Sequence, residues 1–250
     1  MAGSRSIHLT LHIHKKPAAM AERAAHIMTR CCEEAIAERG VFNIALSGGA
    51  TPVPFYRLLG GADWAERLPW EKINIYFVDE RSVDPESPES NFGMIRRELL
   101  SHVPATHYFR IKAENDPVQA AERYEAMLRA DFKLKDGELP RFDFILLGMG
   151  RNGHTGSLSV GSPAIVENKR LVIDQYLPER KYDRVTMTLP VLNNARCCMF
   201  LVTGEEKHEV LTKALDLLAP PYLPAQMVRP TFGDLIWIVD EAAATGRPQE

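Results

Sequence analysis

The sequence predicts an α/β fold, a mostly parallel β-sheet sandwiched between helices. Three observations predict it. Apolar runs of strand length alternate with amphipathic segments of helix length along the chain. That alternation is the pattern of a parallel sheet covered on both faces. Four of the strand runs end in polar or glycine-rich segments, where a parallel sheet binds its ligands.

Taken in order, Ile7, Leu9, Leu11 and Ile13 alternate with His8, Thr10, His12 and His14. Period two predicts a half-buried strand with the polar positions turned to solvent. The three histidines have no carboxylate or thiol among them, so a metal site is not expected. Pro17 opens a helix whose buried face carries Met20, Ala24, Ile27, Cys31 and Ala35, with Gly40 as its C-terminal cap. Val41–Leu46 is an apolar strand, Ser47–Pro52 the turn after it, and Phe55, Leu58 and Leu59 mark a short helix. The next strand is Ile73–Val78, followed by Asp79-Glu80-Arg81 and a long polar loop. Asn91–Val103 and Pro117–Phe132 read as helices, and Phe142–Leu147 as a buried strand. Strands follow at Leu171–Asp174, Arg184–Thr188 and Cys198–Thr203, then a helix over Lys207–Leu218 and a last strand at Leu235–Val239. The proline-rich stretch Ala219–Pro230 is too short to separate domains, so residues 1–250 read as one Rossmann-like domain.

Composition narrows the function classes. The chain has 250 residues, 45% hydrophobic and 25% charged, which is ordinary for a soluble globular protein. A formal net charge of -3 gives no reason to expect a nucleic-acid or membrane partner. The first residues, MAGSRSIHLTLHIHKKP, hold no apolar core of signal-peptide length, and no run approaches a membrane span, so a cytoplasmic location is expected. The cysteines form two adjacent pairs, Cys31-Cys32 and Cys197-Cys198, without C-x-x-C spacing. Reduced thiols are expected, not zinc or thioredoxin-like chemistry. A monomer and a homodimer are both compatible with this composition.

Gly148-Met149-Gly150-Arg151-Asn152-Gly153 spells G-x-G-x-x-G after a strand, and Asp174 lies 21 residues after Gly153. A dinucleotide fingerprint should open a sturdy helix in the first βα turn. Here the match sits in mid-chain, and Gly156, Gly161 and Pro163 break up the segment where that helix would run. A dinucleotide cofactor is therefore not expected. The turn Ser47-Gly48-Gly49-Ala50-Thr51-Pro52 lacks the spacing of a P-loop. Its glycines nevertheless let backbone amides approach a ligand, Thr51 and Pro52 suit a helix start, and such an N-terminus favours a phosphate.

Five segments in order resemble the 6-phosphogluconolactonase family: "ALSGGATP" (45–52), "FVDERSVDPESPESNFGMIRRELL" (77–100), "FDFILLGMGRNGHTGSL" (142–158), "RVTMTLPVLNNARCCMFLVTGEEK" (184–207) and "LPAQMVRPTFGDLIWIVDEAA" (223–243). The resemblance implies the sugar-phosphate-isomerase type of α/β fold. It implies hydrolysis of 6-phospho-D-glucono-1,5-lactone to 6-phospho-D-gluconate in the oxidative pentose phosphate pathway, without cofactor or metal. By the same resemblance, Ser47, Gly48, Gly49 and Thr51 form the phosphate-facing turn, Arg81 and Lys207 are the phosphate-binding cations, and His154 is the catalytic base. Asn91, in Ser90-Asn91, matches a further motif position.

These residue types suit the chemistry. Arg and Lys make charge-assisted bonds to phosphate oxygens, and an imidazole, with an intrinsic pKa of about 6.5, can take a proton from water near neutral pH. One departure stands beside His154. The family pattern has aspartate two residues before the histidine, and this chain has Asn152, which holds a turn by hydrogen bonding but carries no charge. A second departure is Leu158-Ser159-Val160-Gly161 in place of Leu-Phe-Pro-Gly. Two other functions share the motifs. One is the related glucosamine-6-phosphate deaminase/isomerase, whose turn reads Asp-Gly-His-Ile-Ala-Phe-Asn-Glu; here the next carboxylate after His154 is Glu167. The other is a phosphosugar-binding protein whose catalysis is weakened at Asn152.

Overall fold

The computed structural model describes residues 8–176, 181–216, 218–220 and 222–246. Seven strands form one sheet in which every neighbouring pair is parallel. They are β1 (His8–His14), β2 (Phe42–Leu46), β3 (Ile73–Phe77), β5 (Tyr108–Phe109), β6 (Phe144–Gly148), β9 (Cys197–Val202) and β10 (Asp234–Asp240), in the order β1-β10-β9-β6-β2-β3-β5. A second sheet of β4 (Asp79–Arg81), β8 (Arg184–Met187) and β7 (Val172–Gln175) is antiparallel throughout.

The helices are α1 (Pro17–Arg39), α2 (Val53–Gly60), α3 (Ala62–Ala65), α4 (Asn91–Glu98), α5 (Pro117–Asp131), α6 (Pro163–Val166), α7 (Leu189–Asn193), α8 (His208–Leu215), α9 (Pro224–Met227) and α10 (Glu241–Thr245). No described helix is long and apolar enough to cross a membrane. Central strands are buried on both faces: every residue of β9 is buried, and so are Phe144–Leu147 of β6. Register sets Trp237 of β10 beside Phe200 of β9, where the rings stack at 4.0 Å. Pro17 begins α1, and Gly40 ends it in the left-handed conformation (φ 77°), returning its N–H to the carbonyl of Ile36.

Several expectations need correction. The strands read at Leu171–Asp174 and Arg184–Thr188 exist, but they belong to the small antiparallel sheet. Asp79-Glu80-Arg81, read as a polar segment, is itself a strand of that sheet, because β8 supplies the pairing that β3 loses past Phe77. Over residues 11–14 of β1 the polar and apolar roles are reversed, whereas Leu9 packs half-buried against the core and Thr10 is exposed, as expected. His12 and His14 are half-buried, whereas Leu11 and Ile13 are 40% and 51% exposed. β1 is an edge strand, and Arg23 of α1 reaches His12 Nε2 at 3.4 Å, so this helix covers the histidine face. The helix read over Asn91–Val103 stops at Glu98, since Leu99 leaves helical conformation and a 3₁₀ turn follows at Leu100–His102. That break lets two consecutive leucines, Leu99 and Leu100, both be buried. The helix read from Lys207 begins one residue later, after a 3₁₀ turn at Glu205–Lys207, and ends at Leu215. Ile7, Leu217 and Pro221, included in the expected strand, helix and loop, lie outside the described residues. The four cysteines are free thiols.

Candidate active site

The carboxyl ends of β2, β6 and β9 lie side by side in the parallel sheet, and the small sheet stands beside them. Between them is a cleft of about 800 Å³. Ser47, Gly48, Gly49, Thr51, Arg81, Asn91, Asn152, His154 and Lys207 all line it. Residues far apart in the chain meet here because parallel crossovers return each strand to the same edge.

The turn after β2 is shaped by its neighbours. Ser47 is buried, its carbonyl accepts from the Tyr56 hydroxyl at 2.5 Å, and its own Oγ has no partner among the described residues. A Cβ on Gly48 would fall 1.9 Å from Asn91 Oδ1, so only glycine lets the turn pass this side chain. Gly49 has φ 99°, in the region that favours glycine. Among the described residues no hydrogen bond takes up the N–H groups of Gly49, Ala50 or Thr51, which precede α2. Thr51 and Pro52 are expected at the helix start. Pro52 does hold the N-cap position, without a side-chain bond, whereas Thr51 Oγ1 meets Thr203 Oγ1 at 3.3 Å. The threonine thus ties the β2 turn to the end of β9.

Asn91 has a structural place. Its N–H donates to Glu80 Oε1 at 2.8 Å, and its Nδ2 donates to the Asp79 carbonyl at 3.0 Å. Glu80 also accepts from the N–H of Phe92 at 2.8 Å and from Ser90 Oγ at 3.0 Å. Its carboxylate therefore closes the positive end of α4. Burial pushes the Glu80 carboxyl up from the usual carboxylate range, against the pull of these backbone N–H groups. Asp79 is buried as well and accepts from Ser157 Oγ at 2.6 Å. Both carboxylates hold the scaffold, and Arg81 follows them on β4. Its Nη1 donates to the Glu89 carbonyl at 2.5 Å, and the side chain is 26% exposed.

His154 ends a closed turn. Gly150 N–H donates to the His154 carbonyl at 2.8 Å, and Gly153 N–H to the Gly150 carbonyl at 3.0 Å. Gly153, with φ 78°, turns the chain. Asn152 Oδ1 accepts the backbone N–H of His154 at 3.2 Å and lies 2.6 Å from its Nδ1. The backbone donor identifies that amide atom as oxygen. The same oxygen can only accept from the ring, so Nδ1 carries a hydrogen, and in the neutral ring the lone pair is on Nε2. No helix opens after the glycines; Thr155 and Leu158 bridge, and the next helix is the four-residue α6.

Lys207 reaches across from the 3₁₀ turn after β9, and its Nζ donates to the Met149 carbonyl at 2.9 Å. Burial pushes its ammonium below the usual lysine range, with Glu206 pulling it back up. Sequence reasoning missed two cations that line the cleft, Arg184 and Arg151. Arg184 of β8 lines the cleft and is the cross-strand partner of Arg81. The available signal was the alternation Arg184, Thr186, Thr188 against Val185 and Met187, a polar face opposite an apolar one. Arg151 and Glu206 stand at the rim, 3.8 Å apart.

The family model described as glucosamine-6-phosphate isomerases/6-phosphogluconolactonase matches residues 15–237. A 6-phosphogluconolactonase of Synechocystis sp. is 40% identical over 226 residues, covering 89% of this chain and 91% of that protein. The solved structure of 6-phosphogluconolactonase from Trypanosoma brucei superposes with a TM-score of 0.86 at 27% identity, covering 97% of this chain and all of that one. A monomeric glucosamine-6-phosphate deaminase superposes with a TM-score of 0.76 at 20% identity, covering 96% of this chain and 100% of that one, a likeness of fold.

Proposed function

We propose, from the premise that the chain belongs to the glucosamine-6-phosphate isomerase/6-phosphogluconolactonase family, that it hydrolyses 6-phospho-D-glucono-1,5-lactone to 6-phospho-D-gluconate, with His154 as the base. Lys207, Arg81 and the amides of the Ser47–Thr51 turn bind the phosphate by charge-assisted hydrogen bonds. Arg184, facing the same cleft, adds positive charge beside Arg81. Anchored there, the sugar presents its lactone carbonyl to His154 and a water molecule.

Nε2 takes a proton from the water as its oxygen attacks C1. The carbonyl becomes a tetrahedral oxyanion. On its collapse the bond between C1 and the ring oxygen breaks, and the imidazolium returns its proton to that oxygen. The new carboxylic acid then ionises. Asn152 Oδ1 supports the imidazolium through the Nδ1 hydrogen bond, with a dipole where the family pattern has a charge. The observation that carries this reading is the double role of Asn152 Oδ1 at 3.2 Å and 2.6 Å, which fixes the tautomer of a cleft-lining imidazole.

The test is His154→Ala, assayed on freshly made lactone with spontaneous opening subtracted. Turnover is expected to fall at least about 100-fold, the usual contribution of a positioned base. Affinity for 6-phosphogluconate is expected to stay close to that of the unmodified protein. Near-normal turnover rejects His154 as the base.

A further inference from the structure

The glycine four residues before the proposed base has no side chain where the base needs room. A Cβ built on Gly150 would lie 1.9 Å from Cε1, 2.0 Å from Nδ1 and 2.7 Å from Nε2 of His154. Non-bonded heavy atoms settle at about 3.5–4.0 Å, so none of these contacts is tolerable. The nearest atoms are all imidazole and none is backbone. The ring therefore lies directly on the bare main chain of Gly150.

The backbone does not itself ask for glycine there. Gly153 and Gly156 have φ of 78° and 52°, in the left-handed region, and Gly150 is not among the residues with positive φ. What a methyl group at 150 would meet is the histidine. The rest of the turn is braced independently. The Ala225 N–H donates to the Gly153 carbonyl at 2.9 Å, and Leu223 packs over Gly153. The Gly150–His154 and Gly153–Gly150 backbone bonds close the turn beneath the ring.

We propose that Gly150 is a positioning residue, the seat that fixes the plane and depth of the His154 imidazole while Asn152 fixes its tautomer. This inference rests on His154 being the base. The Asn152 hydrogen bond holds one edge of the ring; contact with the Gly150 main chain holds its face. Displacing a reacting group by about 1 Å costs on the order of 100-fold in rate.

The experiment is Gly150→Ala, with His154→Ala and the double variant alongside. In Gly150→Ala, kcat is expected to fall about 10- to 100-fold with KM little changed. The His154 ring resonances in histidine-labelled protein are expected to move, and the thermal melt to stay in place. In the His154→Ala background the second substitution is expected to add no further loss, since no ring remains to displace. Should Gly150→Ala not fold, the double variant is expected to fold, because it removes the clash; failure of both overturns the proposal. A wild-type kcat in folded Gly150→Ala, or an equal extra loss without the histidine, also overturns it. If His154→Ala itself retains turnover, the base assignment fails, and the seat fails with it. If only Gly150→Ala is silent, the seat alone fails.

Discussion

At Asn152 a neutral amide stands where the family pattern has a carboxylate. It accepts from Nδ1 at 2.6 Å, but it has no charge to set against an imidazolium. Hydrogen bonds to charged groups exceed neutral ones by about 1 kcal/mol, roughly fivefold in rate. Asn152→Asp is accordingly expected to keep kcat or raise it up to about fivefold. A large loss would show a site adapted to asparagine. At Lys207 the residue-scale effect is electrostatic. Burial disfavours its charged form in the folded protein, so this ammonium deprotonates below the usual lysine range. The phosphate binding proposed for Lys207 needs the charged form. Affinity for 6-phosphogluconate, followed by calorimetry, is expected to weaken from neutral to alkaline pH. The sign for stability is opposite: a depressed lysine pKa makes the fold more stable as pH rises through it. Weakened binding would then not reflect unfolding caused by this group. Lys207→Arg, charged throughout, is expected to hold its affinity over the same range. An equally steep decline in that variant would place the titration elsewhere.

The junction of β4 with α4 is the element that carries Arg81 to the cleft. Ser90 Oγ accepts from the Gly93 N–H at 2.9 Å and donates to Glu80 at 3.0 Å. The helix start and the strand are thereby held by one hydroxyl. Ser90→Ala is expected to cost about 1 kcal/mol in urea denaturation, the usual value of an N-cap. An unchanged midpoint would mean that Glu80 alone closes the helix. Elements of this kind show how legibility varies along the chain. α1 was readable from Pro17, its apolar face and Gly40, all local signals. β2, β3, β6, β9 and β10 were readable because each is apolar over most of its length. β5 was not, since Tyr108–Phe109 is two residues long and is a strand only because β3 lies alongside. β4 was hidden for the same reason, three polar residues made into a strand by β8.

Across the whole molecule, the cleft joins the parallel sheet to the small antiparallel sheet, so a ligand that fills it ties the two together. A product concentration about 100-fold above its Kd stabilises by about 2.7 kcal/mol. For a chain of this length that is a rise of about 5–10 °C in Tm. 6-Phosphogluconate is expected to produce it, and Lys207→Ala to lose most of it at the same concentration. No rise in the unmodified protein at saturating product would mean that the cleft is not where the product binds. The sequence by itself determined the layered α/β architecture, the polar strand ends and the motif residues, because hydrophobic period and turn chemistry are properties of neighbours in the chain. Only the tertiary structure decided that Arg184 stands across from Arg81, that Asn91 fills the space beside Gly48, and that His154 rests on Gly150. The first two depend on strand pairing and on packing between distant elements, and the third on a ring orientation that spacing along the chain does not specify.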